Sequence, residues 1–196
     1  MYDLGPYFCD NPHHALLHYV LGGRRANPFV PDQPMINYDG KGMALEFGVG
    51  EGHSLRCIAQ HLPVVGYDSF QGLPEDWRPG FEAGKFHCDP PQHLPPNADV
   101  VVGLFEDALP EFDPGKLTWE VRLLHIDCDL YSSTKTVLDR CRRLFRPGLI
   151  VLFDEFWGYP EAEEHEQRAW YEFNEENDIS WEVLGHGVQQ YAVRIV

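Results

Sequence analysis

Positive charge is scarce in this sequence: 15 Lys and Arg stand against 31 Asp and Glu, a formal net charge of −16 at pH 7. Such a chain repels phosphate backbones and anionic lipid, so neither a nucleic-acid nor a membrane partner is expected. Long apolar runs are missing as well, and nothing approaches the roughly 18 residues that a membrane helix needs. The stretch Met1–Pro6 has neither the basic nor the apolar part of a secretory leader, so a cytoplasmic location is expected. Cysteine is sparse and odd in number. Cys9, Cys57, Cys88, Cys128 and Cys141 show no framework spacing and no C-x-x-C pair, which argues against a disulfide scaffold and a zinc knuckle. No repeat marks a second domain. With 43% hydrophobic residues, 196 residues are enough to bury a sizeable core as a single domain. It divides into an N-terminal extension, 1–42, and a core, 43–196.

The extension is rich in Pro, Asn and His, and only Ala15–Leu21 reads as a short helix, ended by Gly22-Gly23. It is expected to lie against the edge or top of the core. His13 and His14 point different ways on a short helix and read as a solvated pair rather than as metal ligands. From Met43 onward, apolar runs alternate with helical patterns, the signature of βαβ units and a parallel sheet. Strands are predicted at 43–47, 64–68, 98–104, 121–127 and 149–153. The first helix shows Leu55, Ile58, Ala59 and Leu62 on one face. A second follows Ser132 and Ser133, which can cap it, and carries the stripe Val137, Leu138, Cys141, Leu144. A third covers about 161–177, with Ala169, Trp170 and Phe173 inward. The last two strands, 181–184 and 189–195, have no helix between them and are expected to pair as an antiparallel hairpin. The irregular segment from Ser69 to Pro96 is too long for an ordinary connection and reads as a functional loop.

Leu45-Glu46-Phe47-Gly48-Val49-Gly50-Glu51-Gly52 runs from a strand through three alternating glycines into a helix, with Ser54 in its first turn. Glycines remove Cβ atoms where the backbone turns sharply and a ligand lies against it. The pattern resembles motif I of class I S-adenosylmethionine methyltransferases, and the closing hairpin fits the same fold, a Rossmann-like sandwich around a mostly parallel seven-stranded sheet. Asp68 ends the second strand, where a carboxylate can accept from both ribose hydroxyls. After the third strand, Phe105 can pack on adenine, and Glu106 or Asp107 can accept from its amine. Plainer roles fit each of these: a tight βα turn, a turn acid, or acids in a first helical turn.

Two neighbouring strands end in carboxylates, Asp127 and Asp129 after one, Asp154 and Glu155 after the next. In a parallel sheet those ends share one side. Four acids together repel one another unless something positive sits among them, and a hard cation such as Mg²⁺ suits them. The alternative is that they cap helices or pair with Lys135 or an Arg from elsewhere. His125, inside a strand, reads as a core histidine, whereas His165 and His186 stay open as proton acceptors.

His125-Ile126-Asp127-Cys128-Asp129-Leu130-Tyr131-Ser132-Ser133-Thr134, with Arg146-Pro147-Gly148, Asp154-Glu155-Phe156 and Asp68-Ser69-Phe70-Gln71-Gly72-Leu73-Pro74, is similar to the macrocin O-methyltransferase family. The resemblance runs from Leu45 to the C-terminus. It implies S-adenosylmethionine and Mg²⁺ as cofactors and a small-molecule hydroxylated acceptor of the sugar or natural-product type; a homodimer is compatible with it. It also implies that Asp127, Asp154 and Glu155 hold the metal, that Asp129 is the base, and that Glu46, Gly48, Asp68, Ser69, Phe105 and Glu106 contact the cofactor. Gly50, Gly52, Ser54, Asp107 and Asp127 complete the expected cofactor set. Two departures stand out: the family usually has two aspartates where this chain has Asp154-Glu155, and the segment before the glycine turn is short. A nicotinamide-dependent oxidoreductase, suggested by the glycine turn and Asp68 alone, and a non-catalytic S-adenosylmethionine-binding protein are the rival readings.

Overall fold

The computed structural model describes residues 15–22, 36 and 41–196; His13 and His14 lie outside them. Seven strands form one sheet in the order β3-β2-β1-β4-β5-β7-β6. They are β1 (Gly42–Phe47), β2 (Val64–Asp68), β3 (Ala98–Val102), β4 (Glu120–Ile126), β5 (Ile150–Phe153), β6 (Trp181–His186) and β7 (Tyr191–Ile195). The first five run parallel, while β7 pairs antiparallel with both β5 and β6. The α/β architecture and the closing hairpin match the expectation from sequence. No helix among the described residues is long and apolar enough to cross a membrane.

The central strands β1, β4, β5 and β7 are buried on both faces, their side chains alternating between the two, while the edge strands β3 and β6 are more exposed. Leu45, Phe47, Leu124, Ile126 and Phe153 join α4 (Tyr131–Cys141) and α5 (Glu166–Asn177) in one core, through Val137, Leu138, Trp170 and Phe173. Ala44, Leu123 and Leu152 face the other way, against α1 (Ala15–Leu21) and α2 (His53–Ala59). Leu16, Leu17 and Val20 of α1 are fully buried there. The short α3 (Phe105–Ala108) follows β3.

The order reverses at β1, whose neighbours are β2 on one side and β4 on the other. Chains leaving β1 and β4 therefore diverge to opposite faces, and a crevice opens above the strand ends. The segment between β2 and β3 crosses that opening. It holds no helix or strand, but its backbone is pinned: Leu73 N–H donates to Lys85 O at 2.8 Å, and Gly84 N–H donates to Leu73 O at 2.8 Å. Leu73 and Trp77 bury themselves against Leu130.

One local expectation fails. Ser132 and Ser133 do not cap α4; the cap position is Leu130, with no side-chain bond, and both serines lie inside the first turn. Asp129 adopts a left-handed φ of 63° and Leu130 N–H closes a tight turn on Cys128 O, so the helix begins two residues early. The Ser132 hydroxyl donates instead to Glu75 in the crossing segment.

Candidate active site

The glycine turn is fastened to its neighbours by backbone and carboxylate. Gly48 N–H donates to Tyr67 O, and Asp127 N–H donates to Phe47 O, both at 2.9 Å. Gly48 has φ 89°, and a Cβ there would overlap the Asp127 carbonyl oxygen. Only glycine lets β1 and β4 approach this closely. Asp68 accepts from Val49 N–H at 2.7 Å and Gly50 N–H at 2.8 Å through Oδ2, and from Phe70 N–H at 2.7 Å through Oδ1. It thus ties the end of β2 to the turn. Asp68→Ala leaves three backbone donors unpaired and is expected to destabilise the fold by about 2 kcal/mol. A urea unfolding midpoint equal to that of the unmodified protein would contradict this role.

Above the turn lies a pocket of about 310 Å³. Of the residues singled out from sequence, Gly48, Gly50, Asp68, Ser69, Phe105, Glu106, Asp127, Asp129 and Glu155 line it, together with Leu73, Phe86, Cys128 and Ser133. Others do not. Glu46 is wholly buried, and its Oε1 sits 2.9 Å from His125 Nδ1. The alternation along β1 sends it to the face opposite Phe47, where it is in register with His125 on β4. Glu46 therefore serves a buried pair rather than the pocket wall. Burial alone would lower the His125 imidazole, but the hydrogen bond and charge of Glu46 outweigh it and raise the pKa. Gly52 starts α2 with φ 78°, packed between Pro91 and Arg56. Ser54 is buried inside α2, and Asp107 is exposed on α3. His165 and His186 are also absent from the lining; they pack edge-on against Trp77 and Trp157.

At the far side of the pocket, β4 and β5 deliver their acids together: Asp127, Asp129 and Glu155 on its lining, and Asp154 buried and outside the lining. Asp127, Asp154 and Glu155 each offer one oxygen, and the three oxygens lie within 4.8 Å of one another. Among the described residues, no Lys or Arg forms an ion pair with any of them or with Asp129. Arg78 lowers the Asp129 carboxyl only through space, its guanidinium lying 4.0 Å from the Trp77 ring and 4.4 Å from Phe81 and Tyr159. Burial, then the charges of Asp154, Glu155 and Asp129, push Asp127 far above the usual carboxylate range. Glu155 is raised in the same way, by burial first and Asp154 next. Burial and Asp154 bring Asp129 up to about 7. Glu155 Oε2 is buried without a hydrogen-bond partner. Such a group of desolvated oxygens is a poor arrangement for bare charges and a good donor set for a hard cation.

Two further residues build this corner. Glu166 is fully buried; its Oε1 accepts from Cys128 N–H and its Oε2 from Glu155 N–H, each at 3.3 Å, so one carboxylate spans both acid-bearing loops. Its signal was in the sequence: 166, 169, 170 and 173 form one helical stripe, with an acid where an apolar residue belongs. Gln190 donates from Nε2 to Asp154 Oδ1 at 2.6 Å. No local pattern marks it.

No curated protein sequence matches the chain. Among solved structures it is similar to CalS11, a calicheamicin methyltransferase, with TM-score 0.64 and 21% identity over 93% of this chain and 76% of that one. It is also similar to the O-methyltransferase NovP, with TM-score 0.56 and 21% identity over 78% and 71%. At such identities the likeness is one of fold. A family model described as a methyltransferase domain matches residues 45–156, from β1 through the acids after β5. That match takes in more than half of the chain and both halves of the pocket, and the chain belongs to this methyltransferase family.

Proposed function

We propose that the protein is an S-adenosylmethionine-dependent O-methyltransferase of the macrocin type, acting on a hydroxyl of a small sugar-like or natural-product molecule with Mg²⁺ bound. The observation that carries this reading is the juxtaposition of a nucleoside-sized pocket over β1 with three carboxylates, Asp154 buried and Asp127 and Glu155 half-buried, that pair with no Lys or Arg among the described residues. CalS11 and NovP, which share the fold, are themselves a calicheamicin methyltransferase and an O-methyltransferase. Family membership leaves the nicotinamide reading without support. Among the described residues Cys88, Cys128 and Cys141 form no disulfide, which suits a reducing compartment.

The bare turn at Gly48 and Gly50 lets the donor lie against backbone. Asp68 Oδ2 spends both lone pairs on the turn, whereas Oδ1 accepts one bond there and keeps a lone pair available to a ribose hydroxyl. Phe105 offers a ring face to adenine, and Glu106 beside it an acceptor for the exocyclic amine. Asp127, Asp154 and Glu155 would hold the cation; the chemistry it supplies there is a lowered pKa for a hydroxyl that is a poor nucleophile at neutral pH. Asp129 lines the same pocket two residues from Asp127, and in this reading it takes the acceptor's proton. Orientation of hydroxyl and methyl group in line provides the rest of the acceleration.

Calorimetry with S-adenosylhomocysteine and labelled-methyl transfer onto hydroxylated acceptors test this reading. Binding is expected, and turnover should stop in EDTA and return with Mg²⁺. Turnover indifferent to EDTA removes the metal from the account, and absence of S-adenosylhomocysteine binding removes the donor.

A further inference from the structure

Gln190 lies in the turn that enters β7, 3% exposed, and its side-chain amide is used at both ends. Nε2 donates to Asp154 Oδ1 at 2.6 Å, and Oε1 accepts from the backbone N–H of Leu16 in α1 at 3.4 Å. The two ends are not interchangeable, since the amide nitrogen only donates and the oxygen only accepts. The turn that carries it is itself fastened beside the acids. Gly187 N–H donates to Gln190 O at 2.9 Å, while the N–H groups of Phe156 and Trp157, next after Glu155, donate to Gln189 O at 2.8 and 3.2 Å. Gly187 also leaves room for the amide, because a Cβ there would come within 2.9 Å of Gln190 Oε1.

We infer that Gln190 is a positioning residue for the cation site and couples that site to α1. The inference rests on the reading of Asp127, Asp154 and Glu155 as cation ligands. A short donated bond fixes the rotation of the Asp154 carboxylate and leaves its remaining lone pairs toward Asp127 and Glu155. Groups that orient a ligating carboxylate in this way typically change metal affinity by about 10–100-fold when removed. Because the same amide accepts from α1, a bound cation and a seated α1 stabilise each other, and the coupling is reciprocal.

The test is a titration of the full chain with MnCl₂, read by the electron paramagnetic resonance of free Mn²⁺, with hydrogen exchange of the α1 amides followed in parallel. Gln190→Met, close in length and volume but without donor or acceptor, is expected to bind Mn²⁺ about 10–100-fold more weakly. Its S-adenosylhomocysteine affinity should be unchanged, since Gln190 does not line the pocket. That retained affinity also shows the variant to be folded. Mn²⁺ should slow α1 exchange in the unmodified protein and leave it unaffected in the variant. Gln190→Asn, which keeps the amide but is one methylene too short to span both partners, should show the same loss. Variants that bind Mn²⁺ within threefold of the unmodified protein overturn the inference alone. An unmodified protein that binds no Mn²⁺ overturns the cation reading and this inference with it.

Discussion

Asp127→Asn is expected to cut methyl transfer by more than about 100-fold, beyond what loss of an outer orienting group produces, while the protein stays folded and binds S-adenosylhomocysteine. The substitution keeps the shape of the side chain and the backbone bond that Asp127 N–H donates to Phe47 O. It removes the charge and replaces one carboxylate oxygen with an amide NH₂, so the group gathered within 4.8 Å loses one of its three anionic donors. The apoprotein should lose no stability and should gain some. Burial and the neighbouring acids Asp154, Glu155 and Asp129 all disfavour ionised Asp127, so a neutral amide relieves repulsion. A stable, donor-binding, inactive variant is the signature. Loss of activity through unfolding, or activity within tenfold of the unmodified enzyme, would contradict the role given to Asp127.

The second large effect is at Gly48. Gly48→Ala places a methyl group on the Asp127 carbonyl oxygen, from a backbone at φ 89° that alanine rarely adopts. Relief would require β1 and β4, hydrogen-bonded along their length, to move apart. A loss at the exceptional end for one substitution, about 4–5 kcal/mol, is expected, with donor binding abolished. Gly50→Ala provides the contrast. Its φ of 49° is also left-handed, but no atom lies within 4 Å of the added Cβ. It should cost only the 1–2 kcal/mol of the left-handed conformation. Urea titration of both variants checks the pair, and equal losses would show that close approach to Asp127 is not what demands glycine at 48.

Much of the architecture was legible because it follows from periodicity and order alone. Apolar strands alternating with helices dictate a parallel sheet, and two strands without a helix between them dictate the closing hairpin. Parallel strands also bring their C-terminal ends to one side, which is why the sequence alone groups Asp127, Asp129, Asp154 and Glu155. The alternation that buries Phe47 on one face sends Glu46 to the other. Its partner His125, 79 residues away, is set by strand register that local sequence does not encode. Glu166 could have been found as an acid on an apolar helical stripe. Gln190 could not, since its role depends on a turn folding back against Asp154. Ser132 and Ser133, in the first turn of α4, misled because the left-handed Asp129 starts the helix earlier than their capping preference suggests.

Central to the proposed function is a donor pocket that adjoins a cation site formed by carboxylates from two strands. The most direct measurement is anomalous diffraction from crystals grown with MnCl₂ and S-adenosylhomocysteine. The expected map has one Mn²⁺ peak bounded by Asp127, Asp154 and Glu155, with the nucleoside against Asp68 and Phe105. A nucleoside in place with no peak among those three side chains, or with the peak elsewhere, would contradict it.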